Sequence, residues 1–242
     1  MDIASTLKTL ADKYETQNFI NGDPSWFMHQ VKGDSNKELM AFIASTLSYG
    51  SRKQFVGKIQ YILDCSKGNL NDWLMSGDFK KDIPDIKQCY YRLYTYSMMH
   101  TLLCALHELI LRYGTIKNYI GCSTGYKAVE KIVTWFADHD TSGIIPKNTQ
   151  SSCKRICMFL RWMVRDNSPV DLGLWSDIID KRTLIIPMDT HVIQEANRIG
   201  LINTRNPSMR TAIKLTEKLK ETFPDDPLKG DFALFGVGIN NP

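Results

Sequence analysis

The sequence predicts an all-α protein. Apolar residues recur at helical spacing, as at Leu39, Phe42, Ile43 and Leu47. No segment shows the alternation of apolar and polar residues that is typical of a half-buried strand. Residues that favour helix starts and ends stand at the edges of the periodic segments. With 43% hydrophobic and 23% charged residues, the 242-residue chain has the composition of a globular protein.

The periodic segments place the helices in order along the chain. The first two cover residues 39–47 and 55–63, and a long apolar segment, Tyr90–Tyr113, predicts the third. Because charged residues and histidines interrupt that segment, we expect a buried helix and no membrane span. Further helices are predicted at Lys127–Asp138, Ser151–Arg165, Thr190–Ile199 and Ser208–Phe223. Gly114, Gly200 and Pro224 mark helix ends, and Asp189 and Ser208 mark helix starts.

Net charge and cysteine content indicate which ligands and which cellular location are compatible with the sequence. A net charge of +4 is compatible with nucleic-acid binding. The six cysteines form no Cys-x-x-Cys pair, and the N-terminal segment is charged and amphipathic, unlike a signal peptide. We therefore expect reduced thiols and a cytoplasmic location.

Lys154 is the candidate nucleophile. On a helical wheel it shares one side of its helix with Met158, Arg161 and Arg165. This side is either a solvated basic stripe, or a face on which Lys154 meets a substrate while Arg155, Arg161 and Arg165 hold phosphates.

Asp189 is the candidate partner of Lys154. Aspartate is a favoured N-cap, and the positive end of a helix stabilises its ionised form. An ionised carboxylate can stabilise an oxocarbenium-like sugar and help to remove a proton from an amine. A lysine beside a helix-capping aspartate is the working pair of DNA glycosylases that also cut the abasic strand.

Four segments resemble the helix-hairpin-helix DNA glycosylase superfamily. MDTHVIQEANRIG resembles its aspartate segment, and CKRICMFLRWMVR resembles the helix that carries its reactive lysine. ELMAFIASTLSYGSRKQFVGKIQYI and KGDFALFGVGI resemble its early and last helices. The chain is most similar to a bacterial branch of unassigned function, DUF2400-like, which is itself similar to archaeal 8-oxoguanine DNA glycosylases.

The resemblance implies a fold, a reaction and a partner. It implies two helical subdomains that flank a DNA-binding cleft, one of residues 36–165 ending in the hairpin and the Lys154 helix, the other of residues 1–35 plus 166–242 carrying Asp189. Lys154 would displace the base, with 8-oxoguanine as the expected base, and form a Schiff base from which β-elimination cuts the strand. We expect a bacterial, nucleoid-associated monomer that acts on double-stranded DNA containing a damaged base, without membrane association.

The resemblance also suggests binding residues. Arg52, Lys53 and Lys147 are candidate DNA contacts, together with the three arginines named above. The candidate base-pocket residues are Trp26, Phe27, Trp162, Phe232 and Phe235, since aromatic rings stack on any base.

The chain departs from the superfamily's pattern at three places. Residues 147–150 replace the glycine-rich hairpin, and Tyr49-Gly50-Ser51 stands where endonuclease III has a gap-filling glutamine. Because no four-cysteine motif follows the last helix, we expect neither an iron–sulfur cluster nor any other cofactor.

Two other classes of function remain open from the sequence. His100, Cys104 and His107 lie on one helical face and could bind a metal, although their apolar surroundings favour a structural role. We expect no metal there. A non-catalytic helical module that binds DNA or a protein would also account for the positive charge.

Overall fold

The computed structural model describes residues 2–204 and 206–240, and the side chains of all of these except residues 238–240. Within these ranges the chain is mostly helical, which confirms the all-α prediction. A two-stranded antiparallel hairpin lies between two of the helices. The helices are α1 Ile3–Tyr14, α2 Asp34–Leu47, α3 Arg52–Cys65, α4 Leu70–Met75, α5 Phe79–Asp82, α6 Tyr96–Tyr113, α7 Ile116–Ile120, α8 Gly125–Ala137, α9 Lys154–Val164, α10 Thr190–Arg198, α11 Met209–Lys220 and α12 Lys229–Asn240, and the strands are β1 Cys89–Tyr91 and β2 Tyr94–Thr95.

The predicted Tyr90–Tyr113 helix is too long at its start. Residues 89–95 form the β1–β2 hairpin, whose turn contains Arg92 with a left-handed φ of 52°. Helix α6 begins only after Thr95, whose side chain accepts a hydrogen bond from the backbone N–H of Met98. Thr95 is therefore the helix start signal, and the aromatic residues before it favour extended backbone.

The predicted Ser151–Arg165 helix also begins later, at Lys154. Cys153 has left-handed backbone angles, φ 47° and ψ 35°, which are incompatible with an α-helix. Ser151 instead forms an isolated antiparallel bridge with Ser208. Lys154 is consequently the first residue of α9.

Backbone contacts divide the chain into two compact units. The first comprises the residues up to Asp23, Cys122–Val129 and the residues from Thr149 onward, and the second comprises Pro24–Gly121 and Glu130–Asn148. The sequence-based boundaries placed Lys154 and Asp189 in different subdomains, whereas the first unit contains both. Helix α9 belongs to this unit. Arg161 of α9 and Arg165, which directly follows the helix, are buried and pair with carboxylates from the C-terminal part of the chain.

In the first unit, α12 packs against α1 and α10. Trp162 of α9 is fully buried, and Phe159 packs edge-to-face on Trp175 with ring centroids 5.2 Å apart. The loop after α9 closes the end of that helix, because the N–H of Leu172 donates to the Trp162 carbonyl at 2.7 Å. This bond satisfies a carbonyl that a helix end leaves without an intrahelical partner.

In the second unit, α2 is buried along most of its length. Phe42 stacks on Phe136 of α8 at 4.9 Å between centroids. Glu38 accepts from the backbone N–H groups of Ile116 and Lys117 at 2.8 and 3.0 Å, so a distant carboxylate binds the first turn of α7. Among the described helices, none combines the length and apolar character needed to cross a membrane.

Candidate active site

Lys154 and Asp189 form an ion pair in the first unit. The Lys154 Nζ lies 3.1 Å from Asp189 Oδ2, although the two residues are 35 positions apart in the chain. The lysine side chain is 35% exposed and the aspartate side chain 12% exposed. The pair is therefore sheltered, yet the amine stays within reach of solvent or a ligand.

The start of α10 positions Asp189. Its backbone is extended, with φ −113° and ψ −173°, and its Oδ1 accepts from the backbone N–H of Val192 at 2.8 Å. This confirms the predicted N-cap. Because one carboxylate oxygen binds the helix and the other faces Lys154, capping and pairing do not compete for the same oxygen.

The start of α9 positions Lys154. Since Cα–Cβ bonds tilt toward a helix N-terminus, the side chain of the first helical residue projects beyond the helix end. Ser152 donates to the Met188 carbonyl at 3.4 Å, which ties the residues before α9 to those before α10. A second contact, from the Ile186 N–H to Thr216 Oγ1 at 3.0 Å, holds the segment that leads to Asp189 against α11.

The left-handed Cys153 lies directly before Lys154. Non-glycine residues in this region cost free energy and are retained where the surrounding structure over-determines them. Burial raises the pKa of the Cys153 thiol, and Ser151 is its neighbour at 3.6 Å between Oγ and Sγ. Cys157 is also buried, and burial raises the pKa of its thiol. Neither thiol is therefore activated as a thiolate.

Arg161 and Arg165 do not lie on an exposed basic stripe. Their side chains are 5% and 1% exposed and are enclosed by carboxylates. Arg161 pairs with Asp171 and Asp231, and Arg165 pairs with Asp171, Asp226 and Glu15. The prediction that these two arginines hold phosphates is wrong, because a wheel assigns faces without knowing which buried acids will neutralise a cation. They are core residues that fix α9 in place.

Asp231 is a residue that the sequence reasoning missed. It is 3% exposed, on α12, and is hydrogen-bonded to Arg161. Burial raises its pKa to about 6, Arg161 opposes this shift, and the negative charge of Asp189 adds to it. One sequence feature could have identified it, because Asp231 stands directly before the apolar run Phe232–Leu234. A carboxylate buried at such a position needs a partner.

The remaining candidate DNA contacts are accessible. Arg52 and Lys53 are exposed at the first turn of α3, and Lys147 is exposed in the connection that follows α8; all three belong to the second unit. Arg155 follows Lys154 in α9 and is partly exposed. These four residues keep their predicted role as candidates.

Three of the five candidate base-pocket aromatics are core residues. Phe27, Trp162 and Phe232 are at most 2% exposed, so they offer no ring face to a base. Phe232 lies under the guanidinium of Arg161, 4.5 Å from its ring centroid. Trp26 and Phe235 are only partly buried and remain candidates.

The segment Tyr49-Gly50-Ser51 stands where endonuclease III has its gap-filling glutamine. It packs on the β1–β2 hairpin of the second unit. Gly50 has a φ of +78°, and a Cβ built there would lie 2.6 Å from Arg92 Nη1. The Arg92 guanidinium lies 5.2 Å from the Tyr49 ring centroid, and the Tyr91 hydroxyl donates to the Tyr49 carbonyl. The positive φ favours a glycine here, and a side chain at this position would have to displace the Arg92 guanidinium.

The histidines of the metal hypothesis make packing contacts. His100 Nδ1 lies 2.7 Å from the Ile83 carbonyl, and the rings of His100 and His107 each lie 6.0 Å from that of Phe79. In the described part of the chain, no three His, Cys, Asp or Glu residues are grouped to hold a metal ion.

Comparison with known proteins places the chain in a family. The protein is mostly helical and carries a lysine–aspartate pair where two helices begin. A family model described as "Protein of unknown function (DUF2400)" matches residues 23–240, and the chain belongs to the DUF2400 family. No curated protein matches the chain, and no solved structure does so.

Proposed function

We propose that this protein is a DNA glycosylase with abasic-site lyase activity, acting on 8-oxoguanine in double-stranded DNA. The observation that carries the proposal is the 3.1 Å pair of Lys154 Nζ and Asp189 Oδ2. An amine at the start of one helix next to a helix-capping carboxylate at the start of another supplies a nucleophile and a charged partner in fixed relative positions.

The reaction starts from a neutral lysine amine. Asp189 helps to pass the proton of the Lys154 ammonium to solvent, and the neutral amine then attacks C1′ of a nucleotide that has left the duplex. The C1′–N bond to the base breaks, its electron pair leaves with the base, and the base takes up a proton from the new ammonium. Opening of the sugar ring gives a protonated Schiff base between Lys154 and C1′.

Strand cleavage follows from the Schiff base. Loss of a proton from C2′ and departure of the 3′ phosphate break the C3′–O bond, with the imine as the electron acceptor. Water then hydrolyses the imine and returns Lys154. Asp189, ionised throughout the attack, stabilises the positive charge that develops on the sugar.

The helical architecture is compatible with a helix-hairpin-helix glycosylase, and we include that fold and its DNA cleft in the proposal. Arg52, Lys53, Lys147 and Arg155 are the proposed phosphate contacts, because they are exposed or partly exposed cations. Arg161 and Arg165 are excluded from this role by their buried carboxylate partners. The proposal includes action as a monomer in association with the bacterial nucleoid.

The alternative is a non-catalytic helical module that binds DNA or a protein. In such a module Lys154 and Asp189 form only a structural ion pair. Removing the amine would then alter affinity or stability but no covalent chemistry.

Borohydride trapping tests the proposal. Wild-type protein is incubated with duplexes that carry 8-oxoguanine opposite each normal base, or an abasic site, and the imine is reduced to a stable amine. We expect a covalent adduct that is lost in Lys154→Gln and retained in Lys8→Gln, a change of an exposed lysine on α1. Absence of an adduct with every duplex overturns the lyase activity, and an adduct that survives Lys154→Gln assigns the nucleophile to another residue.

A further inference from the structure

A basic groove lies next to Asp189 in the first unit. It lies between α10 and α11, is lined in part by Thr190, and has a volume of about 1220 Å³. Lys214 and Lys218 of α11 line it, and of the described residues that line it none is acidic. Two other described grooves differ in this respect, since one contains Asp166, Asp177 and Asp180 and the other Asp72, Asp78 and Asp82.

The two lysines are placed to act together. They stand four residues apart, so they project from one face of α11 with Cβ atoms about 6 Å apart. Lys214 is exposed and has no carboxylate within ion-pair distance among the described residues. Lys218 pairs with Glu221 at 2.8 Å, but both side chains are largely exposed, so that pair is weak and can be exchanged for another anion.

The opposite wall of the groove is preformed. The Asn197 side chain donates to the Thr204 carbonyl at 2.7 Å and accepts from the Thr204 N–H at 2.9 Å, which fixes the loop after α10. Gln194 and Asn203 add exposed side-chain amides to the lining, and Ile193 and Ile202 add an apolar floor. A polar groove that carries two cations and has no acidic residue among its described lining residues fits an extended anion.

We propose that this groove binds the phosphodiester backbone of the DNA strand that continues from the target nucleotide, with Lys214 and Lys218 each neutralising one phosphate. The inference rests on the proposed function, because Thr190, one of the residues that line the groove, directly follows the proposed catalytic carboxylate. A strand that places its sugar at Asp189 would continue past Thr190 into the groove.

Salt-dependent binding provides the test. The probe is a fluorescein-labelled duplex with a tetrahydrofuran abasic analogue, which has no C1′ hydroxyl and cannot form a Schiff base. Fluorescence anisotropy over a series of salt concentrations gives the slope of log K against log salt. Lys214→Ala plus Lys218→Ala should reduce that slope by about 2 and weaken binding by about tenfold or more, since each neutralised phosphate contributes about 0.9 to the slope.

The matched control is Lys220→Ala, a lysine of the same helix that does not line the groove and that pairs with Glu217. It should leave slope and affinity unchanged. Single methylphosphonates placed beside the abasic analogue should weaken binding of the wild type at two successive positions. The same substitutions should have no further effect on the double variant.

The failures of the two proposals are distinguishable. If wild-type protein forms the borohydride adduct but the double variant and Lys220→Ala bind with the same slope, the groove inference is overturned and the proposed function stands. If the wild type neither forms the adduct nor binds the duplex, the proposed function is overturned together with the inference.

Discussion

Arg165 Nη2 lies 2.7 Å from Glu15 Oε1, a contact between side chains 150 positions apart. Glu15 directly follows α1, and Arg165 directly follows α9. Through Asp226 the same guanidinium also reaches the segment before α12. The helix that begins with Lys154 is thus anchored at its far end to two distant parts of the first unit.

Loss of the Arg165 charge should strongly destabilise the protein. In Arg165→Leu, the largely buried carboxylates of Glu15, Asp171 and Asp226 lose their shared cation, and we expect the free energy of unfolding to fall by about 3–5 kcal/mol. Arg182→Leu removes an exposed pair with Asp180 and should change it by less than about 1 kcal/mol. Urea denaturation measures both. A cost for Arg165→Leu no larger than that for Arg182→Leu would contradict the structural role.

Substitutions at Asp189 should separate capping from catalysis. Asparagine is also a good N-cap, so Asp189→Asn should keep the free energy of unfolding within about 0.5 kcal/mol while the single-turnover rate of adduct formation falls at least about a hundredfold. Asp189→Ala should lose about 1 kcal/mol in addition. Ser208→Ala removes the cap of α11, costs a similar amount, and should leave adduct formation unchanged. Full activity of Asp189→Asn would show that the carboxylate serves only as a cap.

Asp231 should make stability depend on pH. Its pKa in the folded protein is about 6, against 3.8 in the unfolded chain. Between these values the folded state holds a proton that the unfolded state has released, so stability falls as pH rises through this window and is constant above it. Relative to Asp231→Asn, the wild type should lose up to about 3 kcal/mol from about pH 4 to about pH 6.

The measurement is the difference in free energy of unfolding between wild type and Asp231→Asn at several pH values, because the difference cancels groups that both proteins share. A difference that does not vary with pH, or that varies in the opposite direction, would show that Asp231 is not held with a raised pKa.

Alanine at Gly50 should lower the free energy of unfolding more than alanine at Gly68, a glycine with a similar positive φ. Gly68 has a φ of +76° and no atom within 4 Å of a built Cβ, so Gly68→Ala measures the backbone cost alone, about 1–2 kcal/mol. Gly50→Ala adds a contact with Arg92 and should cost more. In a double-mutant cycle, Arg92→Ala should remove most of this excess. Equal costs for Gly50→Ala and Gly68→Ala would mean that Arg92 moves aside freely.

The helical class and the helix that Asp189 opens could both be predicted from local sequence patterns. Periodicity and caps are local, so Thr190–Ile199 was predicted within one residue of the observed Thr190–Arg198. Local signals failed where two conformations compete. The aromatic residues 90–95 form a hairpin, and the left-handed Cys153 delays the start of α9.

Which charges are buried and which side chains meet depends on the packing of segments that are far apart in the sequence. Arg161 and Arg165 looked like surface cations because most of their acidic partners are distant in sequence, and Asp231 was overlooked for the same reason. The sequence of neither helix specifies the distance between Lys154 and Asp189. It follows from how the segments before α9 and α10 are tied together, through hydrogen bonds such as that from Ser152 to Met188, and from the packing beneath them.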